Sequence, residues 1–130
     1  MKAVGSQQFA GEAYAFVRSN ASWTQQAILT PSSGVGGDGF GFSIAIDADT
    51  AFVGAPGKTI GSNTQQGAAF VFVRAGTSWQ QQQMLQSSDG AMGDHFGVSV
   101  AVSGDTAVVG ASDKAVAGAT NQGAAGLCLM

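Results

Sequence analysis

A stretch of 19 residues occurs twice in this chain, and the two copies lie 56 positions apart with no gap between the alignments. The first copy runs from Gly37 to Ala55, and the second runs from Gly93 to Ala111. The same offset relates Arg18 to Arg74, Trp23 to Trp79, Leu29 to Leu85 and Lys58 to Lys114. A fixed period of this size predicts a repeat architecture, in which each copy buries its apolar face against the next one.

The period divides the chain into three segments: the end of one repeat (1–36), a complete repeat (37–92) and a truncated repeat (93–130). Near the start, Val4-Gly5-Ser6 aligns with Ile60-Gly61-Ser62. The last copy begins in register but has Gly126 and Cys128 at the positions of Phe70 and Phe72. We therefore expect this copy to stop within a strand.

Short alternating segments within each repeat predict strands. Tyr14 and Phe16 alternate with small or β-branched residues, which is the two-residue period of a strand. Segments 23–29 and 79–85 are rich in glutamine on both faces, which favours strands at a sheet edge. The glutamine run at 80–83 is also compatible with an aggregation-prone tract. With two further strands in the duplicated stretch, each repeat contains four strands joined as a meander.

The duplicated stretch alternates bulky and small residues. Phe40, Phe42, Ile44 and Ile46 form a bulky face in the first copy, and Phe96, Val98, Val100 and Val102 form it in the second. We expect this bulky face to pack on the small face of a neighbouring sheet. Gly104 suits a turn with positive φ and Ala48 does not, so the two hairpin turns are predicted to differ in type.

Composition excludes several classes of function. The chain is 45% hydrophobic and 10% charged, which is typical of a globular domain. A net charge of −3 provides no basic surface for phosphates, so we expect no nucleic-acid partner. The apolar runs are too short to span a membrane, and residues 1–11 lack the apolar centre of a signal peptide. Cys128 is the only cysteine, which excludes a disulfide framework within the chain.

The chain resembles the FG-GAP repeat family, because Phe40-Gly41 is followed fourteen residues later by Gly54-Ala55-Pro56. The second copy has Phe96-Gly97 but ends in Gly110-Ala111-Ser112. The family includes the β-propeller of integrin α subunits and bacterial surface proteins with tandem repeats. The resemblance implies an all-β fold of antiparallel four-stranded propeller blades, here an incomplete fragment of about two blades. It also implies an extracellular or cell-surface location.

The resemblance further implies a non-enzymatic structural or interaction module, part of a larger surface or secreted protein that mediates adhesion or protein binding. Many family members bind calcium in an Asp-x-Asn-x-Asp-Gly loop, which gathers six to eight oxygen ligands. The corresponding hairpins here are only Asp47-Ala48-Asp49-Thr50 and Ser103-Gly104-Asp105-Thr106. We therefore expect no calcium site, no other metal and no cofactor.

Few residues are candidates for chemistry. Asp38 and Asp94 precede Phe-Gly in both copies and are candidate ligands or acids, although capping of loop amides is the favoured interpretation. His95 has no partner at ligand spacing in the sequence and is interpreted as a loop residue. Ser43 and Ser99 lack a recurring histidine, so no nucleophilic triad is predicted. An enzyme with its active residues in other blades is a third, weaker hypothesis.

Binding residues and partners follow from the same pattern. Trp23 and Trp79 are the candidate ligand-binding residues, because an indole at a sheet edge can stack on a sugar or anchor a protein. Packing over the adjacent hairpin is the alternative for both, and a carbohydrate-binding propeller is the alternative function. The structural motif comprises Asp38, Phe40, Gly41, Gly54, Asp94, Phe96, Gly97 and Gly110. Two blades cannot close a ring, so we expect the isolated chain to self-associate.

Overall fold

The computed structural model describes residues 10–118, 120 and 122–129, the last three of these by their backbone alone. Within this part of the chain every regular element is a β-strand, as predicted. The strands are β1 (Ala13–Ser19), β2 (Ser22–Leu29), β3 (Ser43–Asp47), β4 (Thr50–Ala55), β5 (Ala68–Ala75), β6 (Ser78–Leu85), β7 (Phe96–Ser103), β8 (Thr106–Ala111) and β9 (Ala124–Leu129).

The strands form three antiparallel sheets with the orders β1-β2, β3-β4-β5-β6 and β7-β8-β9. The pairing register repeats with the period of the sequence, since Ser43 lies opposite Gly54 and Ser99 lies opposite Gly110. The predicted four-stranded sheet is therefore confirmed, with β2 and β6 at sheet edges. Together the three sheets contain about two propeller blades of strands. The alignment of Val4-Gly5-Ser6 lies outside the described residues.

The β3–β4 and β7–β8 turns both have a positive φ at their first residue, so the expectation that Ala48 does not suit a positive φ is wrong. Ala48 has a φ of 50° and Gly104 has a φ of 54°. An L-residue with a Cβ is disfavoured in this region, because the Cβ crowds the backbone. The two-residue connection imposes the conformation on both hairpins, and Ala48 adopts it at an energetic cost.

The first core lies between the β1–β2 sheet and the middle sheet. Phe40 and Phe70 pack edge to face with ring centroids 5.5 Å apart, and Phe72 contacts Phe40 at 5.9 Å. Ala13 and Leu29 close the cluster from the β1–β2 sheet. Aromatic pairs in this geometry contribute about 0.5–1.5 kcal/mol beyond the area they bury. The phenylalanines of the middle repeat therefore dock it onto the segment that precedes it.

The second core lies between the middle sheet and the β7–β8–β9 sheet. Phe52 and Val71 meet Ala107, and the half-buried Val100 and Val102 of β7 pack against them. This arrangement confirms that the bulky face of β7 packs on a neighbouring sheet. The hairpins also meet, because the Gly104 amide donates to Asp47 Oδ2 at 2.6 Å.

Small residues let the backbones of these two sheets approach closely. A Cβ added at Gly54 would lie 1.9 Å from the carbonyl oxygen of Gly97, a distance that sterics forbid. Ser43 Oγ donates to the same oxygen at 2.8 Å. The small face of the middle sheet thus makes a specific contact with the next sheet. The Gly97 carbonyl packs against Gly54 and accepts a hydrogen bond from Ser43.

The bulky face of β3 is exposed, contrary to the expectation that it packs on a neighbour. Phe42, Ile44 and Ile46 are 60%, 54% and 60% exposed. Only Phe40, which precedes the strand, is buried. The sheet before β3 consists of β1 and β2 alone among the described residues, so no pair of inner strands lies in front of β3. We call Phe42, Ile44 and Ile46 the open apolar face.

Candidate binding surface

Asp38 and Lys58 form a buried ion pair under the loop that leads into β3. Lys58 Nζ lies 3.1 Å from Asp38 Oδ2, and both side chains are almost wholly buried. The same carboxylate oxygen accepts the Val35 amide at 3.0 Å, which confirms the capping role of Asp38. Lys58 also donates to the Ser33 carbonyl at 2.8 Å. The pair therefore ties the loop before β3 to the loop after β4.

The second repeat contains the equivalent ion pair, in which the lysine also contacts an exposed aspartate. Asp94 Oδ2 accepts the Ala91 amide at 2.8 Å, and Lys114 Nζ lies 3.2 Å from both Asp94 and the exposed Asp89. Burial alone lowers the pKa of Lys114, but hydrogen bonds and Coulomb attraction to Asp94 and Asp89 outweigh it and raise the pKa. The pKa of Asp89 is lowered, mainly by a hydrogen bond from Ser87 and then by the hydrogen bond and Coulomb attraction to Lys114.

The lysine partners were missed by the sequence interpretation, although the signal was present. Lys58 and Lys114 recur at the repeat offset, as do Asp38 and Asp94. Each aspartate is twenty positions from its lysine, so the sequence contains no local signal for the contact. Each aspartate accepts a hydrogen bond from a backbone amide and pairs with a lysine ammonium group, so each pair holds its loop in place. We call the Asp38–Lys58 and Asp94–Lys114 pairs the lysine clamps.

His95 lies in the loop before β7, as predicted, and it has a carboxylate partner that the sequence did not indicate. Its Nδ1 lies 2.6 Å from Asp113 Oδ2, on the loop after β8. The backbone of His95 has a φ of 56°, in the left-handed region. The first repeat has glycines, Gly39 and Gly57, at both positions. The pair therefore belongs to the second repeat alone.

The two candidate tryptophans lie in different surroundings. Trp79 packs against the first core, and its Nε1 donates to Gln26 Oε1 at 2.8 Å across the gap between β6 and β2. Arg74 lies over the ring with its Cζ 5.4 Å from the centroid. Trp23 is 66% exposed, and Arg18 lies over its ring at 5.9 Å. Trp79 thus has the packing role that was the alternative for both residues, and Trp23 is open to solvent.

Trp23 belongs to a larger exposed surface that sequence reasoning missed. Tyr14 lies opposite Ile28 and Arg18 lies opposite Trp23 in the β1–β2 register, while Phe16 alternates between Tyr14 and Arg18 on the same side. These five residues, which we call the aromatic face, have their counterparts in Phe70, Phe72, Arg74, Trp79 and Met84 of the middle sheet. The counterparts of the four large apolar residues pack against the β1–β2 sheet. In the aromatic face itself, Phe16 is 52% exposed and Ile28 is 48% exposed.

A cavity of about 440 Å³ lies beside β9. Its walls include Leu85, Phe96, Val109 and Gly126, and Lys114 and Asp89 lie at its edge. Gly126 stands at the position of Phe70, whose ring fills the corresponding space in the middle sheet. The cavity is therefore the space that a third-strand aromatic side chain occupies in a complete repeat.

The remaining motif residues serve the backbone. Gly41 and Gly97 have φ values of 91° and 94°, and Phe40 and Phe96 beside them are buried. Within the described residues, no group of three or more His, Cys, Asp or Glu side chains gathers around one point. The absence of calcium stays a prediction. The side chain of Cys128 is not among those that the structure describes.

Comparison with known families agrees with this geometry. The FG-GAP repeat model matches residues 23–72 and 79–126, which together cover more than half of the chain. The chain therefore belongs to the FG-GAP repeat family, whose repeats are of the β-propeller type and are typical of extracellular or surface proteins. A search of curated proteins found no match. Among the described residues, no helix is long and apolar enough to cross a membrane.

Proposed function

We propose that this chain is a non-enzymatic interaction module of a larger extracellular or cell-surface propeller protein, and that it mediates adhesion or binds another protein. The family membership supports an interaction module of the propeller type. The aromatic face is the observation that carries the binding proposal. It presents three aromatic rings, an isoleucine and an arginine on one side of two paired strands.

The composition of the aromatic face is that of a protein-binding hot spot. Trp, Tyr and Arg dominate the binding energy at protein interfaces, where they lie in desolvated central positions. Tyr14, Phe16 and Trp23 are each at least 40% exposed, and a protein partner would bury them. Large contiguous apolar surfaces on soluble proteins commonly mark such sites.

Binding to a panel of purified extracellular proteins, measured by biolayer interferometry, tests the proposal. We expect a bound protein whose signal falls at least tenfold with Phe16→Ser and with Trp23→Ala. Met92→Ser is the matched control, because Met92 is 63% exposed but lies in a loop outside the aromatic face. Equal losses in all three variants, or a signal that none of them changes, would contradict the proposal.

A carbohydrate ligand is the second candidate, and the exposure of Trp23 favours it. An indole with one open face can stack on a sugar ring, while Arg18 covers the other face. A glycan array compares the wild type with Trp23→Ala and Trp79→Ala. Stacking on Trp23 predicts that only Trp23→Ala removes the signal. Binding to glycans and to no protein would replace the first candidate with this one.

A further inference from the structure

A complete N-glycosylation pattern occurs at the turn between β1 and β2. The chain reads Asn20-Ala21-Ser22, which has the form Asn-x-Ser with a residue other than proline in the middle. In secreted proteins this pattern is the acceptor for transfer of an oligosaccharide to the asparagine, and it lies in surface loops. A pattern of three residues also arises by chance, so the accessibility of the asparagine decides whether it can carry a glycan.

The other two asparagines of the chain lack this pattern. Asn63 has a glutamine two positions later, and Asn121 has a glycine there, so neither is followed by the required hydroxyl group. The side-chain amide of Asn63 is also used within the fold, because its Nδ2 donates to Gln66 Oε1 at 2.9 Å. Asn20 is therefore the one acceptor candidate in this sequence.

Asn20 lies at the tip of an exposed hairpin. Ser19 and Ser22 are the last pair of the β1–β2 register, so Asn20 and Ala21 alone form the connection. All four residues are exposed. Within the part of the chain that the structure describes, the Asn20 side chain makes no hydrogen bond. Its amide nitrogen is thus accessible and is not engaged by the fold.

The same turn conformation recurs in the middle sheet without the glycosylation pattern. Asn20 has a φ of 57°, and Gly76, which lies 56 positions later, has a φ of 64°. Among residues with a Cβ, asparagine is one of the few that adopt this left-handed region readily. Turn chemistry therefore explains why asparagine can replace glycine here. Because Ser22 and Ser78 are equivalent, that replacement also completes the pattern in the first hairpin alone.

We propose that Asn20 is an N-glycosylation site, which receives an oligosaccharide from a lipid-linked donor in the secretory pathway. In the transfer, a bond forms between Asn20 Nδ2 and the anomeric carbon of the first sugar, while the bond from that carbon to the lipid diphosphate breaks. The diphosphate leaves with the electron pair, and the amide loses one proton to a base of the transferase. The inference rests on the proposed function in one respect, which is the extracellular or cell-surface location.

A glycan at this position borders the aromatic face at one end. Arg18 and Trp23 form the strand pair next to the turn, whereas Tyr14 lies opposite Ile28 near the other end of β1. At about 3.3 Å per residue, Tyr14 is roughly 20 Å along the strand from Asn20. The glycan therefore lies beside Trp23 and leaves the Tyr14 end of the aromatic face accessible to a partner.

Secretion of the full chain from a eukaryotic cell line tests the inference. The chain is expressed behind a cleavable signal peptide, and a known glycoprotein is co-expressed to show that the transferase is active. We expect the chain recovered from the medium or the cells to exceed 12.9 kDa by the mass of one glycan. Peptide N-glycosidase is expected to remove the excess and to leave an aspartate at position 20 in the peptide map. A chain of unmodified mass overturns the inference.

Substitutions within the turn test whether the complete pattern is recognised. Asn20→Gln removes the acceptor and Ser22→Ala removes the hydroxyl group, so each is expected to abolish the glycan. Ser22→Thr retains a hydroxyl group and is expected to keep it. Both positions are exposed, so the circular dichroism of the three variants should match that of the wild type. Modification of the Ser22→Ala chain at the wild-type level overturns the inference.

The equivalent turn of the middle repeat provides a matched gain-of-site variant. Gly76→Asn gives the pattern Asn-Thr-Ser over 76–78, in a turn with the same positive φ. We expect this variant to carry two glycans, and to carry one when it is combined with Asn20→Gln. Modification at position 76 with none at position 20 would show that such a turn is accessible and that Asn20 is not used, which overturns the inference.

Failure of this inference is distinguishable from failure of the proposed function, because mass reports the glycan and biolayer interferometry reports binding. An unmodified chain that binds a panel protein through Phe16 ends this inference and leaves the proposed function standing. A chain that is modified at Asn20 but binds neither protein nor glycan supports this inference and contradicts the proposed function.

Discussion

β3 and β7 have the same sequence pattern and opposite surroundings. Val100 and Val102 of β7 are half-buried against the second core, whereas Ile44 and Ile46 of β3 are 54% and 60% exposed. The larger apolar side chains are thus the more exposed ones. Burial in this fold depends on whether a neighbouring sheet supplies two inner strands, and hydrophobicity of the strand itself does not determine it.

The β4 and β8 strands show the same asymmetry from the other side. Phe52 is completely buried because β7 covers it, while Val108 at the equivalent position is 41% exposed. Repeat proteins gain stability from the contacts between neighbouring units as well as from each unit. A matched pair of substitutions at positions 56 apart therefore measures the contribution of the neighbour, because the local sequence is held nearly constant.

The largest expected difference concerns the two lysine clamps. Lys58→Met leaves the carboxylate of Asp38 buried without its cation, which we expect to cost about 3–5 kcal/mol in the free energy of unfolding. Lys114→Met is expected to cost less, because Lys114 lines the open cavity and we expect water to enter the space that its ammonium group leaves beside Asp94. Urea denaturation of both variants measures the difference. Equal losses would show that the cavity does not admit water to Asp94.

The valine and isoleucine faces give the next effect. Val100→Ala is expected to destabilise the chain by about 1–3 kcal/mol, because it removes methyl groups from the second core. Ile44→Ala is expected to change the stability of the monomer by within about 0.5 kcal/mol. Denaturation at concentrations where the chain is monomeric measures both. A larger loss at Ile44 would mean that its face is covered within the single chain.

The hairpin turns give a smaller effect of opposite sign. Ala48→Gly is expected to raise the free energy of unfolding by about 0.5–1 kcal/mol, because glycine adopts positive φ without strain. Gly104→Ala is expected to lower it by a similar amount. Thermal melting of the two variants checks the prediction. A loss of stability in Ala48→Gly would show that the entropy of the unfolded glycine outweighs the relief of strain.

Gln81 on the edge strand β6 is the position where we expect the smallest change in the free energy of unfolding. Its side chain accepts the Ser32 amide at 3.0 Å, but the contact is exposed. Gln81→Ala is expected to change stability by within about 0.5 kcal/mol, as exposed substitutions do. A loss comparable to that of Val100→Ala in the same denaturation assay would show that the edge strand is packed more tightly than its exposure indicates.

Calcium is expected to have no effect on the melting temperature. A ligand that binds only the native state raises the melting temperature by mass action. The β3–β4 and β7–β8 hairpins carry too few oxygens for a calcium site, so the transition should coincide in excess calcium and in chelator. A rise of several degrees in calcium would contradict this interpretation of both hairpins.

Most of the strand pattern could be predicted from the sequence. The 56-residue offset predicted the four-stranded sheet and placed the glutamine-rich strands at edges, because strand periodicity and turn residues are local signals. The capping role of Asp38 and Asp94 followed from turn chemistry. The positive φ of Ala48 did not, because closure of the hairpin overrode the preference of the residue.

The contacts of the candidate residues were decided by tertiary structure. Trp23 and Trp79 are equivalent in sequence, yet only Trp79 has Gln26 of a neighbouring sheet as a partner. The partner of His95 lies eighteen positions away, and the lysines lie twenty positions from their aspartates. The sequence by itself determined the repeat, the strands and the alternation of bulky and small faces, because these depend on neighbouring residues. Which copy of each face is buried depended on sheets that are distant in the chain, since burial requires a second surface.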